Sequence, residues 1–202
     1  MRFRIQILLS LLIIFILPIY THAQITLPKV FGDGMVLQRG IRIPVWGSST
    51  PGAQIIAKLG DVQATTTANK EGKWQIKFPI FKAGGPYILE IAESGKTNSK
   101  ISLKEVLIGD VWLASGQSNM EWQVQQAKDA KKEIANANFP QIRFLVVEHD
   151  KQLKPQPDIH AGKWKTCDSV NVKEWLTILP VKFMLMRKFR LELFKVPGAA
   201  HQ

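Results

Sequence analysis

Cysteine is almost absent from this 202-residue chain, and its single occurrence, Cys167, excludes an intramolecular disulfide. Without a covalent staple the fold depends on burial, for which a hydrophobic fraction of 46% is ample. The lone thiol reads as a small buried hydrophobe rather than a nucleophile. Histidine is limited to four residues, so candidates for a general base near neutral pH are few. Acids are scarce too: 16 Asp and Glu stand against 27 Lys and Arg, a formal charge of +11. That excess does not by itself mark a nucleic-acid-binding protein. Arg2 and Arg4 head the chain, and Lys182, Arg187, Lys188, Arg190 and Lys195 crowd its last part. The remaining lysines are interspersed with acids, as on a solvated surface. No nucleic-acid-binding motif accompanies them, so no nucleic-acid partner is expected.

Residues 1–23 have the build of a signal peptide. Arg2 and Arg4 form a basic opening, residues 5–17 an apolar stretch closed by Pro18, and Thr21-His22-Ala23 sets small residues at the −3 and −1 positions. Cleavage after Ala23 and a mature chain from Gln24 are expected. The apolar stretch falls short of the ~20 residues of a membrane span, and no Cys follows it to carry a lipid. The expected location is secreted or periplasmic, with no stable membrane insertion after cleavage.

Residues 24–104 read as short strands at regular spacing. Residues 41–46 alternate, with Ile41, Ile43 and Val45 on one face, and residues 47–52 form a turn cluster. Residues 54–59 and 62–67 follow as strands around Gly60-Asp61. Trp74, Ile76 and Phe78 alternate after a hairpin-type turn at residues 69–72, and residues 87–91 and 98–103 close the series. This spacing predicts a β-sandwich. Trp46 and Trp74 are either core residues or contacts to carbohydrate.

From Val106 the texture changes. Apolar runs become continuous, as in a parallel sheet buried on both faces. Residues 111–114 are expected as a strand, 120–137 as a helix with Met120, Trp122, Val124, Ala127 and Ile134 as apolar positions, and 142–147 as a second strand. That is a βαβ opening, the start of a doubly wound, flavodoxin-like α/β domain. Between the first strand and the helix stands Gly116-Gln117-Ser118-Asn119-Met120. A serine on a tight turn at a strand's C-terminal end meets unpaired N–H groups of the following helical turn, which can stabilise an oxyanion. Ser118 is therefore the candidate nucleophile, with Gly116, Gln117 and Asn119 supporting its turn. Met120 occupies the place of the second Gly of a G-x-S-x-G elbow, so that motif is not present. Ser115 reads as a turn residue.

Gly109-Asp110-Val111-Trp112 followed by Gly116-Gln117-Ser118-Asn119-Met120-Glu121-Trp122 resembles the first block of the sialate O-acetylesterases, members of the SGNH hydrolase superfamily. The stretch from Pro28 to Arg39, PKVFGDGMVLQR, is similar to the opening of the β-rich domain that precedes the catalytic domain in bacterial members. Val45-Trp46-Gly47, Gly72-Lys73-Trp74 and Gly162-Lys163-Trp164 fit the same family. The resemblance runs over roughly residues 25–165. After the signal peptide at 1–23, it implies a β-sandwich at 24–104 and an incomplete SGNH hydrolase domain over 105–202. It implies a carbohydrate esterase that removes O-acetyl groups from sialic acid or a related acetylated sugar through a serine acyl-enzyme, with no metal or organic cofactor.

The family takes its base from an Asp-x-x-His segment and further oxyanion donors from a Gly and an Asn in two intermediate blocks. None of these is found here. His22 leaves with the leader, His149 and His160 occupy positions where the family requires no base, and His201 is next to the last residue. Beyond about residue 170 the family pattern fades, as in a truncated or frameshifted gene, and the hydrolase domain is expected to be incomplete and inactive, with exposed apolar surface. The competing reading is a non-catalytic secreted β-sandwich module that binds a glycan or a partner, with a vestigial hydrolase segment.

Overall fold

The computed structural model describes residues 24–116, 118, 122–148, 153–160 and 162–174, together with the backbone of 191–197. The expected leader at residues 1–23, Gln117, Asn119, Met120, His149, His201 and residues 175–190 lie outside the described residues. The first seven strands are β1 (Val36–Gln38), β2 (Arg42–Ser48), β3 (Gln54–Leu59), β4 (Val62–Thr67), β5 (Lys73–Ile80), β6 (Gly84–Glu93) and β7 (Lys100–Gly116). A 3-10 turn (Val124–Gln126), helix α1 (Ala130–Asn136), β8 (Asn138–Val146), β9 (Lys165–Asp168), a second 3-10 turn (Asn171–Glu174) and β10 (Leu191–Pro197) complete them.

The described chain is mostly β-sheet, and period-two alternation explains the first part. Strands β4, β3, β6 and β7 lie side by side, each antiparallel to the next. β2 and β5 form a separate antiparallel pair. Both sheets turn alternate residues into one core: Ile43 and Val45 from β2, Ile55 and Leu59 from β3, Trp74, Ile76 and Phe78 from β5, and Leu89 and Ile91 from β6. One expected position is corrected and one open alternative is decided. Ile41 precedes β2 and is half exposed, because the ladder opens only at Arg42 with a register shift. Trp46 lies on the face opposite Val45 and stays 40% exposed, whereas Trp74 is buried.

The strands expected at 98–103 and 111–114 are one continuous strand of 17 residues, β7. Its first half pairs with β6, its middle carries β1 in parallel, and its last seven residues pair with β10. Glu105 adopts φ 57° at a bulge, where the step from Leu103 to Val106 faces the shorter step from Leu89 to Tyr87. A second irregularity, between Gly84 and Tyr87, restores the register. Bulges bend a strand and raise its twist, so the sheet curls along β7 between its β6-paired and β10-paired halves. Ser115 belongs to this strand rather than to a turn.

Beyond β7 the same sheet continues: β10 lies between β7 and β8, parallel to both, and β9 flanks β8 antiparallel. The two strands expected as a βαβ neighbour pair are therefore separated by a strand from the tail. Pro140 is accommodated inside β8 at the irregularity between Phe139 and Arg143, where no ladder hydrogen bond is lost. The helix expected over 120–137 is not continuous across its described part. Ala127 is extended, Asp129 is left-handed at φ 62°, and only Ala130–Asn136 is α-helical. The reason lies in packing. Val124, Ile134 and Ala137 all meet one small core with Ala114, Ile142, Phe144, Cys167 and Val172. A straight helix would set Val124 and Ile134 about 15 Å apart along its axis. Breaking at Asp129, a residue type that tolerates the left-handed region, lets both reach that core.

Candidate active site

β7, β10 and β8 run parallel, so their carboxyl ends at Gly116, Pro197 and Val146 share one edge of the sheet. Ligands of open α/β sheets bind at such an edge. Ser118 stands there, two residues past the end of β7, exposed and in a helical-turn conformation. Of its proposed supports, Gly116 ends β7, while Gln117 and Asn119 lie outside the described residues.

The chain leaving β8 returns to the same edge. Glu148 N donates to His160 O at 2.7 Å and Gly162 N donates to Val146 O at 3.2 Å. His160 is exposed beside β8, so β10 stands between it and β7. Two sheet spacings place those strand axes roughly 10 Å apart. His149 and His201 lie outside the described residues. Among the described residues no group of three or more His, Cys, Asp or Glu is placed to hold a metal ion, and no helix is long and apolar enough to cross a membrane.

The strand that presents Ser118 is held from the N-terminal side. Arg39 N donates to Gly109 O at 2.8 Å. Gln38 donates through Nε2 to Arg39 O and accepts from Val111 N at 2.8 Å. The Arg39 guanidinium donates twice to the Asp110 carboxylate, Nε to Oδ1 at 2.8 Å and Nη2 to Oδ2 at 2.9 Å. Planar bidentate pairing of this kind fixes orientation as well as charge. The pairing joins residues 71 apart in sequence, so no local spacing could reveal it. The only signal was that each residue sits in one of the family-like blocks.

The other blocks meet in the same way. Trp164 Nε1 donates to Val30 O at 2.9 Å, and its side chain lies against Gly32 and Gly34. Gly47 faces Trp74 across the β2–β5 ladder. A side chain there would lie 2.3 Å from Thr26 O and 2.7 Å from the Trp74 ring, so only glycine fits. Trp164 and Leu145 belong to the first core, which ties the β8 part of the large sheet to it.

Cys167 is fully buried, and burial together with the neighbouring Asp168 pushes its thiol up to about 12. It is the inert small hydrophobe its scarcity suggested. Asp168 accepts from Val170 N, Asn171 N and Asn171 Nδ2 and so closes the turn after β9. Burial alone would raise its pKa, but these hydrogen bonds lower it below the usual carboxylate value. Trp112, Leu113 and Trp122 stand more than half exposed around the β7 end.

No family model matches the chain. Individual relatives do. The sialate O-acetylesterase of Mus musculus is 36% identical over 111 residues, 51% of this chain and 20% of that protein. That of Homo sapiens is 34% identical over 124 residues, 57% of this chain and 24% of that protein. That of Pongo abelii is 33% identical over 151 residues, 69% and 29%. The crystal structure of a carbohydrate acetylesterase from Xanthomonas citri superposes with a TM-score of 0.81 at 34% identity, covering 86% of this chain and 40% of that one. The chain thus spans less than a third of these three curated relatives and 40% of the solved structure. Over the part that aligns, it is a homologue of the sialate O-acetylesterases.

Proposed function

We propose that this chain carries the nucleophile-bearing part of a secreted carbohydrate O-acetylesterase: a leader at 1–23, a β-sandwich at 24–104 and part of an SGNH hydrolase domain over 105–202. The observation that carries the reading is the exposed Ser118 just past β7, at the edge where three parallel strands end. The names of the relatives supply the substrate class, an acetylated sugar.

In this reading Ser118 Oγ attacks the acetyl carbonyl while a general base takes its proton, and backbone N–H groups of the turn receive the oxyanion. The tetrahedral intermediate collapses with release of the sugar hydroxyl, which regains the proton. Water then attacks the acetyl-serine and acetate leaves. Gln38, Arg39 and Asp110 hold the strand that aims Ser118.

The 202 residues contain no Asp-x-x-His segment, so the nucleophile is present without the family's base. Loss of an oxyanion donor alone costs about 10²–10³ in rate, and loss of triad members costs further orders of magnitude. The chain itself should therefore turn over p-nitrophenyl acetate and an O-acetylated sialoside no faster than its Ser118→Ala variant. Turnover clearly above that control would show that the chain holds its own base. The serine is tested separately in a chimera whose residues after Cys167 come from the Xanthomonas citri acetylesterase. There Ser118→Ala should abolish acetate release, and activity within a few-fold of the parent chimera would refute the assignment.

A further inference from the structure

A cleft of about 430 Å³ opens on the N-terminal sheet, between the β2–β5 pair and the loop that follows β8. Trp46 forms an aromatic wall of it, and Ser48, Lys73, Pro157 and Asp158 line its rim. Its size falls in the range of about 300–1,000 Å³ typical of small-ligand sites. We infer that this cleft is a glycan-binding site that stacks a neutral pyranose unit on Trp46, separate from the Ser118 edge and independent of the esterase reading.

Three observations support it. Trp46 is 40% exposed although it sits mid-strand, and its ring is not loose. The edge of Phe31 meets it at 4.7 Å between centroids and 75° between planes. Such a contact orients the indole and leaves surface for the apolar C–H face of a sugar ring. Second, the rim supplies both kinds of hydrogen-bonding group a ring of hydroxyls needs. Lys73 Nζ donates to Ser48 Oγ at 2.9 Å and retains further protons to give. The Asp158 carboxylate accepts from Lys29 N at 3.1 Å on each oxygen and from Ile159 N at 2.8 Å, which fixes it while leaving acceptor capacity.

Third, the charges select the ligand class. One ammonium and one carboxylate flank the aromatic wall, so the cleft has no net charge to attract an anion, and a phosphate or uronate would meet Asp158. A hydroxyl-rich neutral ring can give protons to the carboxylate and accept from the ammonium at once. The loop that brings Asp158 to this cleft continues to His160, whose carbonyl is tied to Glu148 at the parallel-strand edge. One segment therefore touches both the glycan cleft and the edge that carries Ser118.

The test is calorimetric titration of the full chain with xylohexaose, cellohexaose and hexagalacturonate, with no esterase readout involved. At least one neutral oligosaccharide should bind, and the acidic one should bind more weakly or not at all. Trp46→Ala should weaken binding by at least about tenfold, equal to about 1.4 kcal/mol. Trp46→Phe should restore part of it, and Lys73→Ala, an exposed substitution, should weaken it severalfold. If Trp46→Ala fails to fold, the other two variants carry the same comparison. No binding of either neutral sugar at about 5 mM, a ceiling near −3 kcal/mol, would overturn the proposal. So would parent-like binding by Trp46→Phe and Lys73→Ala together, by a folded Trp46→Ala, or preferential binding of the acidic chain.

Discussion

Replacing Gly47 by alanine adds one methyl group at the most crowded point between β2 and β5. The new Cβ would lie 2.3 Å from Thr26 O and 2.7 Å from the Trp74 ring, where ordinary contacts begin at 3.4 Å. Relief of about an ångström has two sources. The Thr26–Ser48 bridge can open, losing two backbone hydrogen bonds of 2.9 Å each, at about 1 kcal/mol apiece. Alternatively Trp74, buried among Val45, Ile76 and Phe78, can shift, and overpacking of this kind costs about 1–3 kcal/mol. With both contacts strained, Gly47→Ala should destabilise the fold by roughly 2–4 kcal/mol. At about 2–4 °C per kcal/mol for a domain of this size, the melting temperature should fall by roughly 5–15 °C. The assay is thermal and urea unfolding followed by tryptophan fluorescence and circular dichroism. Gly162→Ala is the control, because nothing lies within 4 Å of a Cβ there, and it should stay within about 0.5 kcal/mol of the parent. A Gly47→Ala variant that also loses less than about 0.5 kcal/mol would refute the packing argument.

Cys167 should resist a thiol reagent at pH 8 in the native chain and react with one equivalent after denaturation, since burial holds its pKa near 12; rapid native labelling would contradict its burial. Glu93 is buried, which alone would raise its pKa, yet hydrogen bonds from Lys96 and Ser49 and the Lys96 charge bring it below 4.5. Its contribution is therefore present above about pH 4.5 and is lost as pH falls through the lower folded value. The stability gap between the parent and Glu93→Gln should narrow on acidification, and a gap independent of pH would refute that assignment. Mass spectrometry of exported material should show an N-terminus at Gln24, and an intact Met1 in the membrane fraction would point to an anchor instead.

Local pattern made the N-terminal strands legible. Alternation put Trp74, Ile76 and Phe78 on one face, and that face is buried, because one face of an antiparallel strand packs on the core and the period is short; that Trp74 is core rather than a carbohydrate contact was left open by the sequence. It also showed where a serine would stand relative to a strand end, since Ser118 follows β7 within two residues. Composition identified Cys167 as buried. Local pattern failed wherever a distant segment decided the outcome. The apolar positions from Val124 to Ile134 satisfied a helical period, but a common small core required a break at Asp129. Trp46 and Val45 are adjacent residues of one strand, and only the sheet's placement decided which faces the core.

The sequence alone determined the alternating strands, the absence of an intramolecular disulfide and the kinship with sialate O-acetylesterases. All of these are properties of short segments or of composition. Tertiary structure alone decided that β7 joins the β6 and β10 halves of one sheet, that β10 enters between β7 and β8, and that Arg39 clasps Asp110. Parallel pairing and long-range ion pairs depend on shape and on the competition among all strands for partners. No residue spacing encodes that competition: Arg39 and Asp110 are 71 residues apart, and β10 meets β8 across 49 residues and β7 across 81.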